Sequence, residues 1–371
     1  MAFLTDEQLD NLRLVGDAVP DRIVVELAEA GQIGAVNEML GKVMRNRDPI
    51  PAELPDNVEV WLNDTNQLPE GVDVARLERG ASFFVEHGAM ATYILSTSSL
   101  IECYAAVKGC LALAFTYRLG HNAYRRIGET AQFVIDVCQP GALVGNDTGI
   151  PKIQKVRLMH SAVRHLIHET GRWPADYGVP LCQEDLLGTM LTFSHVVVRD
   201  LEKLGYEVDA GLAEDYHYMW CVIGEMLGVK KEIIPYDLKT GGLVFDHISG
   251  RHQGPSEHGE VMTKALMEFH AENIPGRIFD GITPAVTRYL VGDKVADWMG
   301  VRRSRWERFI PYQRKLGRAF DLLDDRTTPV ANVFDRIALA FVDRTAFRWT
   351  HYQRSGFEIP DKLNEQWHGG G

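Results

Sequence analysis

The stretch KIQKVRLMHSAVRHLI, residues 152–167, decides the fold of this chain. Its apolar side chains recur three and four positions apart, which is the spacing of one face of an α-helix. His160 lies on that apolar face, with Arg157 and Arg164 on the neighbouring turns. The apolar positions are Val156, Met159, Val163 and Ile167.

His160 is open to two interpretations. A buried imidazole near cations is disfavoured in its charged form, so a neutral His160 could offer a ring nitrogen to a metal. The alternative is a core histidine whose ring bonds to a carbonyl, and periodicity alone favours this alternative. His165 and His168 lie off the apolar face or at its edge, and we expect them to face solvent or a loop.

Segments with the same helical spacing dominate the chain from Ala81 onward, and almost none alternates with period two. We therefore predict an all-α fold. The longest irregular piece, 229–256, contains YDLKTGG and SGRHQGPS and is predicted to be a large surface loop. The predicted helical segments are about 82–118, 122–138, 152–169, 184–204, 211–228, 257–272, 284–299, 304–323 and 330–346.

The sequence predicts one large domain with an extension at its N-terminal side. Residues 1–75 mix short helical pieces, around Asp6–Leu14 and Asp21–Val43, with the loop RDPIPAELPDN. We expect this extension to pack on a single all-α domain, 76–360, because no later break is long enough to be a linker. Residues 361–371 are predicted to be a flexible tail.

Composition limits the partners and the location. The 371 residues carry 39 Lys and Arg against 51 Asp and Glu, a net charge of −12 without a basic run, which argues against nucleic-acid binding. The most apolar stretch, 88–115, contains Glu102 and Lys108, which favours buried helices over a membrane span. No secretory signal is visible, so we expect either a cytoplasmic chain or one whose signal was trimmed. The five cysteines are scattered, and sulfur ligation of a metal is not expected.

A second informative stretch is YRRIGETAQFVIDVC, residues 124–138. Thr130 lies on its apolar side, Arg126 lies one turn earlier on the same face, and Glu129 is at the edge. Gly128 costs about 1 kcal/mol relative to Ala inside a helix, and the close approach of a flat group is one reason to keep it. That group could be a cofactor or, as packing alone favours, a neighbouring helix.

The third stretch is QEDLLGTMLTFSHVVVRDL, in which Gly188 and Thr192 lie one turn apart. Its first turn is acidic, which suits the helix dipole. Thr192 could line a pocket or bond back to its own helix, and the sequence leaves both open.

Glu102, in SSLIECYAAVKGC, is an acid in the middle of the most apolar part of the chain. A buried carboxylate is unfavourable unless it is paired or its pKa is raised, and a raised pKa suits a general base. Glu102 is therefore either a candidate base or the partner of Lys108 or of a distant arginine.

The stretches RRIGETAQFVIDV, QKVRLMHSAVRH and QEDLLGTMLTFS, in this order and spacing, resemble the core of the latex clearing protein family. These proteins are haem b rubber oxygenases and are grouped with a wider set of fungal and bacterial oxygenases. The resemblance runs from about Ser98 to Val229, and RYLVGDKVADWMGV fits more loosely. It implies a globin-like helical core around a haem, with additional N- and C-terminal helices.

The resemblance also implies roles for individual residues. His160 would be the proximal ligand of the haem iron, and Arg157 the haem-side arginine of the same motif. On the distal side the family has an arginine, which falls on Arg126, and an adjacent Lys–Thr pair. That pair falls on Glu129 and Thr130, so an acid replaces the lysine that can cap the iron in a closed state, and this gating is not expected here.

The distal threonine of the third motif falls on Thr192, which together with Arg126 and Thr130 would border the haem. A glutamate acts as base in the family, and we assign this role to Glu102, with Glu129 as the reserve. The implied activity is cleavage of C=C bonds by dioxygen, with loss of an allylic proton to the base and formation of aldehyde and ketone ends.

The apolar helices 89–118 and 184–204 would supply a dry channel for polyisoprene or a related unsaturated compound such as a terpenoid. A haem protein that only binds or senses a small ligand, and a helical protein that has lost its cofactor, are the alternatives. A trimmed signal would favour rubber as the substrate, and a cytoplasmic chain a smaller metabolite. The sequence does not indicate an oligomeric state.

Overall fold

The computed structural model describes residues 3–116, 123–145, 147–273 and 281–310, and the side chains of 116 and 123–126 are not described. Within these ranges the chain forms α-helices and no β-strand, apart from an isolated bridge between Ala106 and Gln253. The all-α prediction is confirmed for this part of the chain. No helix in it is long and apolar enough to cross a membrane.

Four helices precede the core: α1 (Asp6–Leu12), α2 (Ala18–Glu29), α3 (Ile33–Leu40) and α4 (Asp56–Thr65). Thr5 starts α1, where it forms a capping box with Gln8 that satisfies free N–H groups of the first turn. The sequence predicted helix within 21–43 but not the break that separates α2 from α3, nor α4. The apolar sides of α2, α3 and α4 pack on Leu158 and Ala162 of the helix that carries His160, whereas Leu9 and Leu12 of α1 pack in a separate cluster with Leu186 and Ile248.

The apolar stretch predicted as a helical segment, 82–118, is divided into three helices. They are α5 (Val74–Ile94), α6 (Leu100–Ala105) and α7 (Val107–Thr116). A five-residue π-helical turn, Leu95–Ser99, joins α5 to α6, and all five of its residues are buried. Ala106 has an extended ψ of 91° and separates α6 from α7. Such local changes re-aim the following side chains and are common near functional sites.

The middle of the chain forms α8 (Ala123–Cys138), α9 (Gly149–Glu169), α10 (Gln183–Phe193), α11 (His195–Lys203) and α12 (Ala210–Met226). The segment predicted as one helix, 184–204, bends at Ser194, whose ψ is −79°. Helix α12 packs closely along α5. The two helices approach each other so closely at Gly80 that a Cβ there would lie 2.5 Å from the carbonyl oxygen of Asp215.

Residues 229–256 do not form the predicted surface loop, and this prediction is wrong. Helix α13 (Leu238–His252) occupies most of the segment. Gly241 and Gly242 favour a loop, yet they lie inside α13, where it meets the buried imidazole of His217 and the half-buried imidazole of His195. A Cβ at Gly241 would lie 2.6 Å from Cε1 of His217, and one at Gly242 would lie 2.7 Å from Cε1 of His195. Close packing against these rings outweighs the low helix propensity of glycine.

Two further helices complete the described part, α14 (Glu257–Asn273) and α15 (Ile282–Trp298). Helix α15 is kinked at Gly292, whose φ of 82° is favourable only for glycine. Of the predicted segment 304–323 the structure describes a short 3₁₀ turn, Arg305–Arg308. The rest of it, the predicted helix 330–346 and the tail 361–371 lie outside the described residues, so the domain limits stay predictions.

Candidate functional site

A cavity of about 250 Å³ lies between α6, α7, α8, α9, α10, α12 and α13. A second one, of about 30 Å³, adjoins it and shares Leu100, Thr130 and Phe193 with it. More than half of the residues that line the larger cavity are apolar, and most of these are Leu, Val, Ile, Met or Phe. A cavity with apolar walls and a few polar groups is the usual form of a site for an organic cofactor or substrate.

His160 stands in the wall of this cavity, next to Met159 and Val156 on α9. On the same helix His168 is exposed, as expected, and His165 is half-buried. In the described part of the chain no three His, Cys, Asp or Glu side chains cluster as ligands of a metal ion. One imidazole in an apolar wall nevertheless fits a haem, because the porphyrin brings four nitrogens of its own and needs one axial protein ligand.

Glycines in the cavity wall are packed against neighbouring side chains. A Cβ at Gly188 would lie 3.3 Å from Cγ2 of Ile248. At Gly224 a Cβ would overlap the sulfur of Met190. At Gly109 a Cβ would lie 3.5 Å from Oδ1 of Asp185, so these three glycines allow α7, α10, α12 and α13 to pack closely around the cavity.

Thr192 satisfies both interpretations that the sequence left open. It lines the cavity, and its Oγ1 donates a hydrogen bond of 2.7 Å to the carbonyl oxygen of Thr189. Cys103 Sγ lies 3.4 Å from the same hydroxyl, and Ser99 Oγ donates to the carbonyl oxygen of Thr192 at 2.7 Å. The hydroxyl is thus held in one orientation at the cavity wall.

The three residues predicted from α8 have different positions. Thr130 lines both cavities. Glu129 is half-buried and is not among the side chains that line either of them. The side chain of Arg126 lies outside the described residues, so its distal role stays a prediction. Gly128 is buried in the same helix.

Glu102 lines the cavity and is paired with an arginine distant in sequence, which is one of the two alternatives that its position suggested. Arg199 Nη2 donates to Oε1 at 2.6 Å, and Gln253 Nε2 donates to Oε2 at 3.2 Å. Burial raises the pKa of this carboxyl, and nearby Asp200 adds to the effect, while the charge of Arg199 opposes it. Lys108 does not pair with Glu102; its Nζ lies 5.6 Å from the centre of the Tyr177 ring.

Arg157 and Arg164 point from α9 toward the N-terminal helices. Arg157 Nε donates to Oδ2 of Asp17 at 2.6 Å, and Arg164 Nε donates to Oδ1 of Asp21 at 2.7 Å. Neither arginine is among the described residues that line the cavity. The haem-side role that the resemblance gives to Arg157 therefore stays a prediction, whereas its contact with the N-terminal extension is visible.

The structure also reveals a polar end of the cavity that the sequence did not predict. Glu184 is fully buried there and contacts three side chains: His252 Nε2 at 2.8 Å, Arg251 Nε at 3.0 Å and Arg13 Nη1 at 3.3 Å. Burial tends to raise the pKa of Glu184, but the contact with His252 and the positive charges of Arg13 and Arg251 outweigh burial and lower the pKa below its usual range. Asp185 pairs with Arg13 at 2.9 Å beside it.

This cluster was missed because its members come from α1, α10 and α13, far apart in the chain. Glu184 and Asp185 looked like an acidic first turn that suits a helix dipole, and His252 fell in a predicted loop. A helix over Leu238–His252 would have placed Arg251 and His252 in its last turn, where cations are favoured. That is the signal that could have drawn attention to them.

Comparison with known proteins agrees with this architecture. Residues 93–321 match the family described as the ER-bound oxygenase MpaB/B′ and rubber oxygenase catalytic domain. A rubber oxygenase of Streptomyces sp. (strain K30) is 26% identical over 293 residues, which are 78% of this chain and 72% of that protein. The structure of a latex clearing protein in the closed state superposes with a TM-score of 0.81 at 24% identity, covering 94% of this chain and 95% of that one. This structural likeness confirms the predicted fold class.

Proposed function

This chain belongs to the family of the MpaB/B′ and rubber oxygenase catalytic domain, and we propose on that basis that it is a haem b-dependent dioxygenase. Its substrate is an isoprenoid, polyisoprene or a related unsaturated compound, whose C=C bonds are cleaved to aldehyde and ketone ends. The observation that carries the proposal is the cavity in which His160 stands among apolar side chains.

Haem b, when bound, supplies the activation of dioxygen that no amino-acid side chain provides. His160 is the residue that would hold the haem. Thr130 and Thr192 bring hydroxyl groups to the cavity on α8 and α10, and Arg126 is assigned beside them from the family motif. Phe133 and other apolar side chains exclude water from the reacting atoms.

The base is assigned to Glu102, which lines the same cavity, and Glu129 is the reserve. Glu102 takes the allylic proton of the substrate on its carboxylate, and its raised pKa increases its affinity for that proton. Arg199 and Gln253 hold its two oxygens, so the carboxylate meets the substrate in a fixed orientation.

The first test is haem binding. The protein purified after expression with sufficient haem should show a Soret band, and His160→Ala should lose the haem or shift its spectrum. His168→Ala is the matched control, because His168 is an exposed histidine of the same helix. An unchanged Soret band in the His160→Ala protein would contradict the assignment of the ligand.

The second test is turnover. Under air, the wild-type protein should convert polyisoprene latex or small terpenoids to products with aldehyde and ketone groups, detected by carbonyl derivatisation and mass spectrometry. A Soret band without any carbonyl product would exclude the oxygenase for these substrates and favour a haem protein that only binds or senses a ligand.

A further inference from the structure

The smaller cavity, of about 30 Å³, is separate from the residues assigned to the ligand and the base of the proposed reaction. Its wall is formed by α5, the π-helical turn Leu95–Ser99, the start of α6, α8, the end of α10 and α14. Neither His160 nor Glu102 is among the described residues that line it. One water molecule needs about 10–15 Å³ of such space, so this cavity holds a molecule of very few atoms and excludes a haem or an isoprenoid chain.

The cavity has a closed end and an end that meets the larger cavity. At the closed end Leu95 and Phe269 are buried, at 6% and 4% exposure. The residues shared with the larger cavity, Leu100, Thr130 and Phe193, are half-buried. A small molecule in this cavity therefore passes into the larger one beside Thr130.

The polar groups of this wall are already engaged within their own helical segments. Thr92 Oγ1 donates to the carbonyl oxygen of Gly88 at 2.7 Å, and Ser96 Oγ donates to the carbonyl oxygen of Tyr93 at 2.8 Å. Apart from Thr130, the other described lining residues are Leu, Ile, Val, Ala and Phe. An ordered water needs two to four polar partners, and cavities without them stay dry and take up apolar molecules.

We propose that this cavity binds dioxygen and delivers it to the larger cavity beside Thr130. The inference rests on the proposed function and adds a site for its second substrate. Dioxygen has two atoms and no dipole, so its transfer from water to an apolar space of this size is favourable. The family motif assigns Thr130 to the side opposite His160, which is the side that dioxygen has to reach.

Xenon is the probe for the site, because it is a small, apolar and unreactive atom that binds in dry protein cavities. Crystals of the protein as purified are pressurised with xenon, and its anomalous scattering gives its position. We expect a xenon atom between Leu95, Ile127 and Phe269. The absence of xenon from the smaller cavity would overturn the proposal, whatever the larger cavity contains.

Variants assign the binding to this space. Ala131 lines the smaller cavity and not the larger one, so the longer side chain of Ala131→Leu should fill it and exclude xenon. Ala271→Leu is the matched control, since it makes the same change at an exposed position of α14 and should keep the xenon site. Ala131→Val, a smaller change, replaces Ala131→Leu if that variant does not fold. Full xenon occupancy in a folded Ala131 variant would overturn the proposal.

Kinetics test whether dioxygen uses the site. In Ala131→Leu the KM for dioxygen should rise roughly three- to tenfold, within the limit that a ligand of two atoms sets on binding energy, while the KM for the organic substrate stays the same. An unchanged KM for dioxygen in a variant that has lost xenon would overturn the proposal. The two proposals fail separately: missing carbonyl products contradict the oxygenase whatever the xenon result, whereas missing xenon contradicts only the dioxygen site.

Discussion

Arg157 of the His160 helix forms a two-point ion pair with Asp17 of the N-terminal extension. Nε donates to Oδ2 at 2.6 Å and Nη2 donates to Oδ1 at 3.0 Å, a bidentate geometry that fixes both side chains. Gly228, which follows α12, lies directly against the pair. The N-terminal extension, the end of α12 and helix α9 thus meet at Arg157, which precedes His160 by three residues. The extension therefore supports the helix that carries the candidate ligand.

Removal of the carboxylate should destabilise the protein. Asp17→Ala leaves the guanidinium of Arg157, which is 18% exposed, without its charge partner. Loss of one partner of a buried pair costs about 3–5 kcal/mol, and partial solvent access reduces this to roughly 2 kcal/mol. The free energy of unfolding in urea measures the effect. Asp64→Ala, the same change at an exposed position, should stay within about 0.5 kcal/mol of wild type.

Gly228 should not tolerate a side chain. Its φ is +98°, and an added Cβ would overlap Oδ2 of Asp17 and lie 2.9 Å from Nε of Arg157. Gly228→Ala is expected to lose roughly 2–4 kcal/mol, from backbone strain and from disruption of the ion pair. Gly171→Ala isolates the strain, because Gly171 has φ +62° with nothing within 4 Å of its Cβ position. Equal losses in the two variants, measured by urea unfolding, would show that the ion pair is not disturbed.

The sequence was sufficient to predict elements that have a local pattern. It was insufficient where contacts between residues distant in sequence determine the structure. Helix α9, predicted over 152–169, spans Gly149–Glu169, because its apolar spacing is unbroken. Helix α13 was not predictable, because Gly241 and Gly242 act as breakers in isolation and the imidazoles that pack on them come from α11 and α12. Thr192 could be found because it lies in a local sequence motif. The contacts of Glu184 with Arg13 and Arg251 could not, because these residues are distant in sequence.

His270 should make the protein less stable as the pH falls. Burial lowers its pKa to about 4, while the nearby backbone of Ser96 opposes the shift. Between the usual pKa of about 6.5 and about 4 the unfolded chain binds the proton and the folded chain does not, so the free energy of unfolding decreases with the pH. From pH 7 to pH 5 this group contributes a loss of about 2 kcal/mol.

His270→Gln tests this linkage. The free energy of unfolding of this variant should change less between pH 7 and pH 5 than that of the wild type, whatever the stability of the variant at pH 7. The measurement is urea unfolding at pH 7, 6 and 5. His168→Gln, which removes an exposed histidine, should retain the wild-type pH dependence. An unchanged pH dependence in His270→Gln would show that this imidazole is not the group responsible.

Replacement of Glu102 separates its two possible roles, as a base and as the partner of Arg199. Glu102→Gln keeps the size of the side chain and removes its capacity to take a proton. Since a positioned general base contributes about 10²–10⁴-fold, kcat for carbonyl products should fall at least about 100-fold while the Soret band is unchanged. Glu202→Gln, the same change at an exposed position on α11, is the control and should keep the wild-type kcat. If Glu102 serves only to pair with Arg199, Glu102→Gln will instead retain kcat and lose stability, and the base must be sought elsewhere, first at Glu129.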